Sequence, residues 1–186
     1  MKFPLRRGPW TTLASKIVYQ NPWMIVREDA VTRPDGKPGI YGVITMPIGI
    51  CVLPIDADNF VYLVKQYRYG VERETIEAIA GSSEGKDITQ SARRELREET
   101  GIEAATLTPL GTIDPFTSML NVPEHLFLAT GLTFGTPNRE ETELDMRLVK
   151  VPYGQALKWV MDGTITHGAS VVAILKARDL ILGDKS

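Results

Sequence analysis

The stretch of sequence that decides the fold covers residues 80–102 and reads AGSSEGKDITQSARRELREETGI. It predicts a helix from about Ile88 to Thr100. Gly101 follows, and glycine suits the left-handed conformation that commonly ends a helix. If this segment is helical, the spacing of its acidic residues decides which of them share a face.

Three carboxylates share one narrow arc of the predicted helix. With about 100° per residue and Glu95 set at zero, Glu99 lies at about +40° and Glu98 at about −60°. An apolar strip overlaps and borders this arc, formed by Ile88, Ala92 and Leu96. We therefore expect the acidic cluster to lie where the helix meets the rest of the protein.

Carboxylates grouped in this way favour a cation. Like charges three and four residues apart repel by a few tenths of a kcal/mol per pair in an isolated helix. Carboxylate oxygens suit hard divalent ions, and Mg²⁺ keeps waters that it can share with substrate phosphates. The alternative is a solvated helix with Arg–Glu pairs, which is the usual meaning of a charge run. The charge pattern alone leaves both interpretations open.

Composition excludes several classes of protein. The chain has 186 residues, 43% hydrophobic and 24% charged, with a formal net charge of −2. This balance argues against a dedicated nucleic-acid binder, which normally carries a basic excess. A single cysteine, Cys51, excludes an internal disulfide and suggests a reducing compartment. The longest apolar stretch, residues 40–55, is broken by Gly and Pro and is shorter than the roughly 20 residues that span a bilayer. No secretory signal is evident, so we expect a cytoplasmic globular protein without a membrane partner.

Short β-rich runs separated by turn residues dominate the first half of the chain. The predicted strands cover residues 16–19, 23–31, 39–46, 48–55, 60–67, 107–113, 125–132 and 144–151. Two further helices are predicted, one from about residue 152 to Gly163 and one at about 170–182. The pattern predicts an α+β fold with a small N-terminal antiparallel β extension.

Residues 94–102, RELREETGI, resemble the second half of the Nudix box, G-x5-E-x7-R-E-U-x-E-E-x-G-U, in which U is a bulky apolar residue. All seven specified positions of that half match. The first half departs, because the family's Gly falls on Ala80 and its first Glu falls on Lys86. One residue is missing from the loop, which leaves Glu84 and Asp87 on either side of the expected position. We expect Glu84 or Asp87 to orient Arg94 in place of that Glu, so that activity survives.

The resemblance extends beyond the box. Residues 64–68, VKQYR, and 77–81, EAIAG, are similar to the QYR and E-x-P-A-G segments of ADP-ribose and nucleoside diphosphate sugar pyrophosphatases, with Ile79 in place of the usual Pro. It implies the Nudix fold, an α/β/α sandwich with a mixed sheet. Residues 47–186 are then the catalytic domain, and residues 1–46 the β extension.

The family resemblance also implies a metal site. Glu95 and Glu99 are expected to bind Mg²⁺, for which Mn²⁺ can substitute. Glu98 is expected to assist both metal binding and catalysis, and the Ala80 carbonyl to contribute a further ligand.

The remaining catalytic residues are expected on a loop after the box. In relatives of the sugar-nucleotide branch, a Glu from this loop usually takes the proton from water. Here the match is the acidic run 139–143, and the resemblance points to Glu140 or Glu141. The alternative is an ordinary solvated acidic loop.

Two residues are candidates to bind substrate. Arg68 follows a predicted strand, and its planar fork of donors suits a diphosphate, the alternative being a surface Arg at a strand end. Glu77 is expected, by resemblance only, to hydrogen-bond a nucleobase or ribose.

Aromatic and histidine side chains carry weaker expectations. Trp10, Tyr19 and Trp23 are candidates to stack on a base, although aromatic residues more often pack in a core. His125 is expected to be structural and His167 to be a turn residue, because neither has a partner at metal-ligand spacing.

The expected function is Mg²⁺-dependent hydrolysis of a nucleoside diphosphate sugar such as ADP-ribose or GDP-mannose. Relatives with this extension commonly form dimers, so a homodimer is expected. One alternative is a broader pyrophosphohydrolase acting on dinucleoside polyphosphates or capped RNA, although RNA contacts normally require a basic surface. The other is a catalytically silent nucleotide sensor, for which Lys86 is the only hint.

Overall fold

The structure is a computed structural model that describes residues 2–83, 85, 87–139, 141 and 144–183. The strands found in this part of the chain are β1 (Leu5–Arg7), β2 (Trp10–Gln20), β3 (Ile25–Thr32), β4 (Pro38–Thr45), β5 (Gly49–Pro54), β6 (Phe60–Arg68), β7 (Arg73–Glu77), β8 (Ile79–Ser82), β9 (Ile102–Ile113), β10 (Glu124–Phe134) and β11 (Arg147–Pro152). The helices are α1 (Ile88–Thr100), α2 (Tyr153–Met161), α3 (Gly168–Lys176) and α4 (Arg178–Leu182), with a 3₁₀ turn at Tyr69–Val71. None of these helices is long and apolar enough to cross a membrane.

One compact unit holds the residues up to Pro47 together with Asp114–Val122. Its strands form an antiparallel sheet in the order β1-β2-β3-β4. The segment 114–122 is attached to β4, because the Tyr41 hydroxyl donates to the Ser118 carbonyl and the Ile44 amide donates to Met119. The boundary after residue 46 and the role of this unit in dimer formation stay predictions.

The other unit holds the rest of the chain and contains two sheets, β8-β5-β10-β9 and β11-β6-β7. The first sheet is mixed, because β5 and β10 pair in parallel. Alternate residues of a strand point to opposite faces. Ile50 and Val52 therefore belong to an apolar cluster that includes residues of α1, whereas Cys51 and Leu53 belong to one that includes residues of α3. These layers confirm the predicted α+β fold with an N-terminal antiparallel extension.

Most elements agree with the sequence predictions, but several differ. Strands β1, β7 and β8 were not predicted, and β2 and β9 begin six and five residues before the predicted strands, at Trp10 and Ile102. The last predicted helix begins two residues earlier, at Gly168, and is divided at Ala177 into α3 and α4. The strand predicted at residues 144–151 begins only at Arg147.

The junction between β7 and β8 positions the site. Only Ala78 separates the two strands, which belong to different sheets. The Ala78 amide donates to Ser170 Oγ at 2.8 Å, which fixes the junction against α3. Glu77 therefore ends one sheet and Ala80 lies three residues further, in the other.

Candidate active site

Helix α1 carries the predicted carboxylates and has well-defined ends. Asp87 is its N-cap, and the carboxylate of Asp87 accepts the Gln90 amide at 2.9 Å. Gly101 ends the helix with φ of 72°, a conformation in which a side chain would be strained. The helix has the predicted bounds, so Glu95, Glu98 and Glu99 share one side of it as predicted.

Two of the three carboxylates are buried. Glu95 is 9% exposed and Glu99 is 1% exposed, while Glu98 is half-buried. The acidic cluster therefore lies where α1 meets the sheet, as the helical arc predicts. A fully solvated helix, the alternative interpretation, is excluded for Glu95 and Glu99.

Gly81 makes room for the Glu95 carboxylate. A Cβ at position 81 would lie 2.1 Å from Glu95 Cδ, far inside van der Waals contact. The neighbouring Ser82 amide donates to Glu95 Oε1 at 3.1 Å. Because Gly81 has no side chain, the Glu95 carboxylate can lie close to the backbone of β8.

Arg94 links the carboxylates to the loop. Its guanidinium donates to Glu98 Oε2 at 2.8 Å, to Glu95 Oε1 at 2.7 Å and to the Ser82 carbonyl at 3.0 Å. Asp87 caps the helix, and Glu84 lies outside the described residues. The expectation that Glu84 or Asp87 orients Arg94 stays a prediction, as does the effect of Lys86, which also lies outside them.

Burial raises the pKa of Glu95 above its usual value, although Arg94 and the Ser82 amide act in the opposite direction. A buried carboxylate of this kind is more easily ionised when a cation is close. The site therefore favours a positive charge beside Glu95.

The donors suit a hard divalent ion in kind. Glu95, Glu98 and Glu99 of α1 carry oxygen ligands of the type that Mg²⁺ prefers, and the Glu95 carboxylate lies in the space that Gly81 leaves open. Within the described ranges, however, no three acidic, His or Cys side chains are gathered closely enough to hold an ion as they stand. Arg94 contacts Oε1 of Glu95 and Oε2 of Glu98, and each of these carboxylates has a second oxygen that can serve as a ligand.

The predicted general bases are only partly located. Glu141 is exposed, and Glu140 lies outside the described residues. Arg139 comes directly before them, and its guanidinium donates to the Glu99 carbonyl at 2.7 Å and to the Met146 carbonyl at 2.6 Å. The start of this acidic run is therefore attached to the C-terminal end of α1.

The other two predicted site residues form a bidentate pair. Arg68 Nε and Nη2 donate to the Glu77 carboxylate at 3.1 and 2.6 Å, and the Thr75 hydroxyl donates to it at 2.6 Å. Glu77 is 3% exposed and Arg68 is 41% exposed. Burial opposes ionisation of Glu77, but the bonds from Arg68 and Thr75 outweigh it and lower the pKa of this carboxyl.

This pair lines a cavity of about 490 Å³. Arg73, Thr166 and His167 line it too, and Arg73 Nη2 donates to Thr166 Oγ1 at 2.7 Å. None of these three was predicted as a site residue. The sequence contains one signal that could have pointed to them. Residues 163–168 begin and end with glycine just before a helix, and such a segment brings backbone groups and short polar side chains to the helix N-terminus.

The three aromatic candidates belong to the unit that holds the N-terminal residues, and His125 belongs to the other unit. Tyr19 and Trp23 are exposed and do not pack in a core. The ring of Trp10 packs edge-on against that of Tyr41, with their centroids 5.3 Å apart. His125 lies in β10, where its ring contacts the Thr112 hydroxyl at 3.2 Å. A role for any of the three aromatic residues in base stacking stays a prediction.

Comparison with known proteins defines the class of protein. Residues 45–160 match the NUDIX domain, and residues 10–44 match the nucleoside diphosphate sugar hydrolase N-terminal domain. The chain belongs to the Nudix hydrolases, and it is a pyrophosphohydrolase of the nucleoside diphosphate sugar hydrolase family. Nudix enzymes typically depend on a divalent metal ion and bind nucleotide substrates.

Individual relatives are distant. An ADP-ribose pyrophosphatase of Mycobacterium tuberculosis is 27% identical over 92% of this chain and 84% of its own. A methanol dehydrogenase activator of Bacillus methanolicus is 26% identical over 88% of this chain and 89% of its own. A solved structure described as an ADP compounds hydrolase is similar with a TM-score of 0.80 over 95% of this chain and 96% of its own, at 20% identity. At that identity the structural likeness supports the fold.

Proposed function

We propose that this protein hydrolyses the pyrophosphate bond of a nucleoside diphosphate sugar of the ADP-ribose or GDP-mannose kind. The products are a nucleoside monophosphate and a sugar phosphate. The observation that carries the proposal is the Ala78 junction, which joins the Arg68–Glu77 pair to the β8 segment beside the carboxylates of α1. A diphosphate has to be bound and neutralised at the same time, and this segment carries residues for both tasks.

The α1 carboxylates are assigned to the metal. Glu95, Glu98 and Glu99, with the Ala80 carbonyl, would hold Mg²⁺ or Mn²⁺. When bound, such an ion supplies neutralisation of phosphate charge and lowers the pKa of water.

The remaining chemistry belongs to substrate-binding and base residues. Arg68 offers a planar guanidinium to the diphosphate, and its pairing with Glu77 fixes the plane of that fork. Glu77 is assigned to a hydroxyl or N–H of the nucleoside. Water attacks one phosphorus atom, the bond from that phosphorus to the bridging oxygen breaks, and Glu140 or Glu141 takes the proton of the water. Glu98 assists this step as one of the proposed ligands of the metal ion.

A substrate panel tests the proposal. The protein is incubated with Mg²⁺ and ADP-ribose, GDP-mannose, UDP-glucose, diadenosine polyphosphates or a nucleoside triphosphate, and phosphate released by an added phosphatase is measured. Glu99→Gln should lower turnover by about 100-fold or more, because a metal ion supplies several kcal/mol of charge stabilisation. Glu103→Gln, a change at an exposed residue of β9, is the matched control and should keep full activity.

Three outcomes separate the candidate functions. Turnover of one nucleotide sugar supports the proposal and begins to identify the base and sugar. Preference for diadenosine polyphosphates would favour the broader pyrophosphohydrolase. Nucleotide binding without turnover of any substrate would contradict hydrolysis and favour a sensor.

A further inference from the structure

His167 lies in the cavity of the Arg68–Glu77 pair and has no role in the proposed function so far. It directly precedes α3, and its Nδ1 atom lies 2.8 Å from Ser170 Oγ and 3.7 Å from Glu77 Oε2. Ser170 is itself fixed, because its hydroxyl oxygen accepts the Ala78 amide. The imidazole is therefore held with its Nδ1 edge towards the Glu77 carboxylate.

Two arginines and one carboxylate line the cavity around this contact. Glu77 carries one negative charge and receives both bonds of the Arg68 fork, while Arg73 donates to the uncharged Thr166 hydroxyl. A proton on His167 adds a positive charge 3.7 Å from Glu77 Oε2, the oxygen that Arg68 Nη2 also contacts. The imidazolium and the guanidinium then compete for one oxygen, Oε2.

We propose that His167 is a positioning residue for the substrate diphosphate: when protonated, it shares the Glu77 carboxylate and leaves the Arg68 guanidinium freer to bind the diphosphate. This inference rests on the proposed function and adds pH control of substrate affinity to it. A protonated His167 also makes the cavity more positive, and this too raises the affinity for an anionic ligand.

The pH range follows from the surroundings of His167. Burial lowers its pKa below the usual 6.5, and Glu77 partly opposes this effect. The positive charge of Arg68 acts in the same direction as burial. Affinity should therefore increase as the pH falls below about 6.5, the ordinary value for an imidazole.

Two other titratable groups lie near the same network. Cys51 is buried, and burial raises the pKa of its thiol well above the usual value, so it stays neutral in this range. Burial and the charge of Glu77 raise the pKa of Glu124. Glu124 is therefore the group whose titration has to be separated from that of His167.

The test measures KM and kcat for ADP-ribose with Mg²⁺ across the acidic and neutral pH range. We expect the wild-type KM to fall about two- to fivefold on acidification, the size expected for a partly exposed charge interaction. His167→Gln should remove this change in KM while leaving the shape of the kcat profile intact. His167→Lys, which keeps a positive charge at every pH tested, should restore the low KM at neutral pH.

Matched variants identify the group that titrates. His125→Gln changes the other histidine of the chain and should leave the KM profile unaltered. Glu124→Gln should also keep the profile. A His167→Gln profile that superposes on the wild type, or loss of the pH dependence in Glu124→Gln alone, would overturn the inference.

A binding measurement keeps this inference separate from the proposed function. Calorimetry with ADP-ribose in EDTA gives Kd without turnover, in the same pH series. If Kd depends on pH only when His167 is present but nothing is hydrolysed with Mg²⁺, the hydrolase proposal fails and the His167 inference stands. If ADP-ribose is hydrolysed while Kd and KM do not change with pH, the His167 inference alone fails.

Discussion

At the scale of single residues, Glu77 and Glu95 have the same side chain, but their surroundings shift its pKa in opposite directions. Burial opposes ionisation of Glu77, but the bonds from Arg68 and Thr75 outweigh it and lower the pKa, so Glu77 is an anion at neutral pH with a fixed partner. The pKa of Glu95 is raised by burial, with Arg94 only partly compensating. Glu95 therefore gains most from a second cation, which agrees with its proposed role as a metal ligand.

The contact between Gly81 and Glu95 gives a prediction at this scale. Gly81→Ala places a Cβ where the Glu95 carboxylate lies, so Glu95 has to move or the β8 backbone has to shift. We expect a loss of about 1–3 kcal/mol in the free energy of unfolding, as for other overpacked sites, together with loss of Mg²⁺-dependent turnover. Urea denaturation and the ADP-ribose assay measure the two effects.

A second glycine provides the control for this change. Gly154 lies in α2, and a Cβ built there meets no atom within 4 Å. Gly154→Ala should leave activity unchanged and stabilise the protein by about 0.5–1 kcal/mol, because alanine loses less backbone entropy in a helix. Equal effects of the two substitutions would contradict the role assigned to Gly81.

At the scale of elements, the ends of α1 determine where its carboxylates point. Asp87→Ala removes the N-cap and should destabilise the protein by about 1 kcal/mol. Asp87→Asn should keep both stability and activity, because Asn caps helices as well as Asp does. Denaturation curves and turnover of the two variants measure this. Loss of activity in Asp87→Asn with unchanged stability would show that the charge of Asp87, and not the cap, is what the site needs.

The elements differ in how well the sequence predicts them. Helix α1 could be predicted to the residue, because a long periodic segment is bounded by a cap and a glycine. Strands β7 and β8 are only five and four residues long, and β7 exposes Arg73 and Glu74, so neither gives a strand pattern of its own. The division of the last helix at Ala177 was missed because apolar spacing continues across it.

The candidate site was predictable where its residues lie close in sequence. The α1 carboxylates share one helix, so their spacing determines their face. The burial of Glu77, by contrast, depends on Arg68 from a neighbouring strand, and the position of His167 depends on α3 packing beside Ala78. These contacts join residues up to about ninety positions apart, and the order of residues in the chain does not contain them.

At the scale of the whole molecule, metal binding should appear as stability. Mg²⁺ at about 100 times its Kd should stabilise the folded protein by about 2.7 kcal/mol, which corresponds to roughly 5–10 °C in Tm at this chain length. The shift should be absent in Glu99→Gln and retained in Glu103→Gln. Scanning calorimetry with Mg²⁺ and with EDTA measures it, and an unchanged shift in Glu99→Gln would exclude Glu99 as a ligand.

The single residue between β7 and β8 limits how far two parts of the proposed site can separate. Glu77 and Ala80 are three residues apart, and at about 3.3 Å per residue their backbones cannot separate by more than about 10 Å. The backbones of the residue assigned to the nucleoside and of the residue assigned to the metal therefore cannot move far apart, whichever base or sugar the ligand carries. The ligand groups themselves can lie further apart, because the Glu77 side chain and the metal ion add their own lengths to this distance.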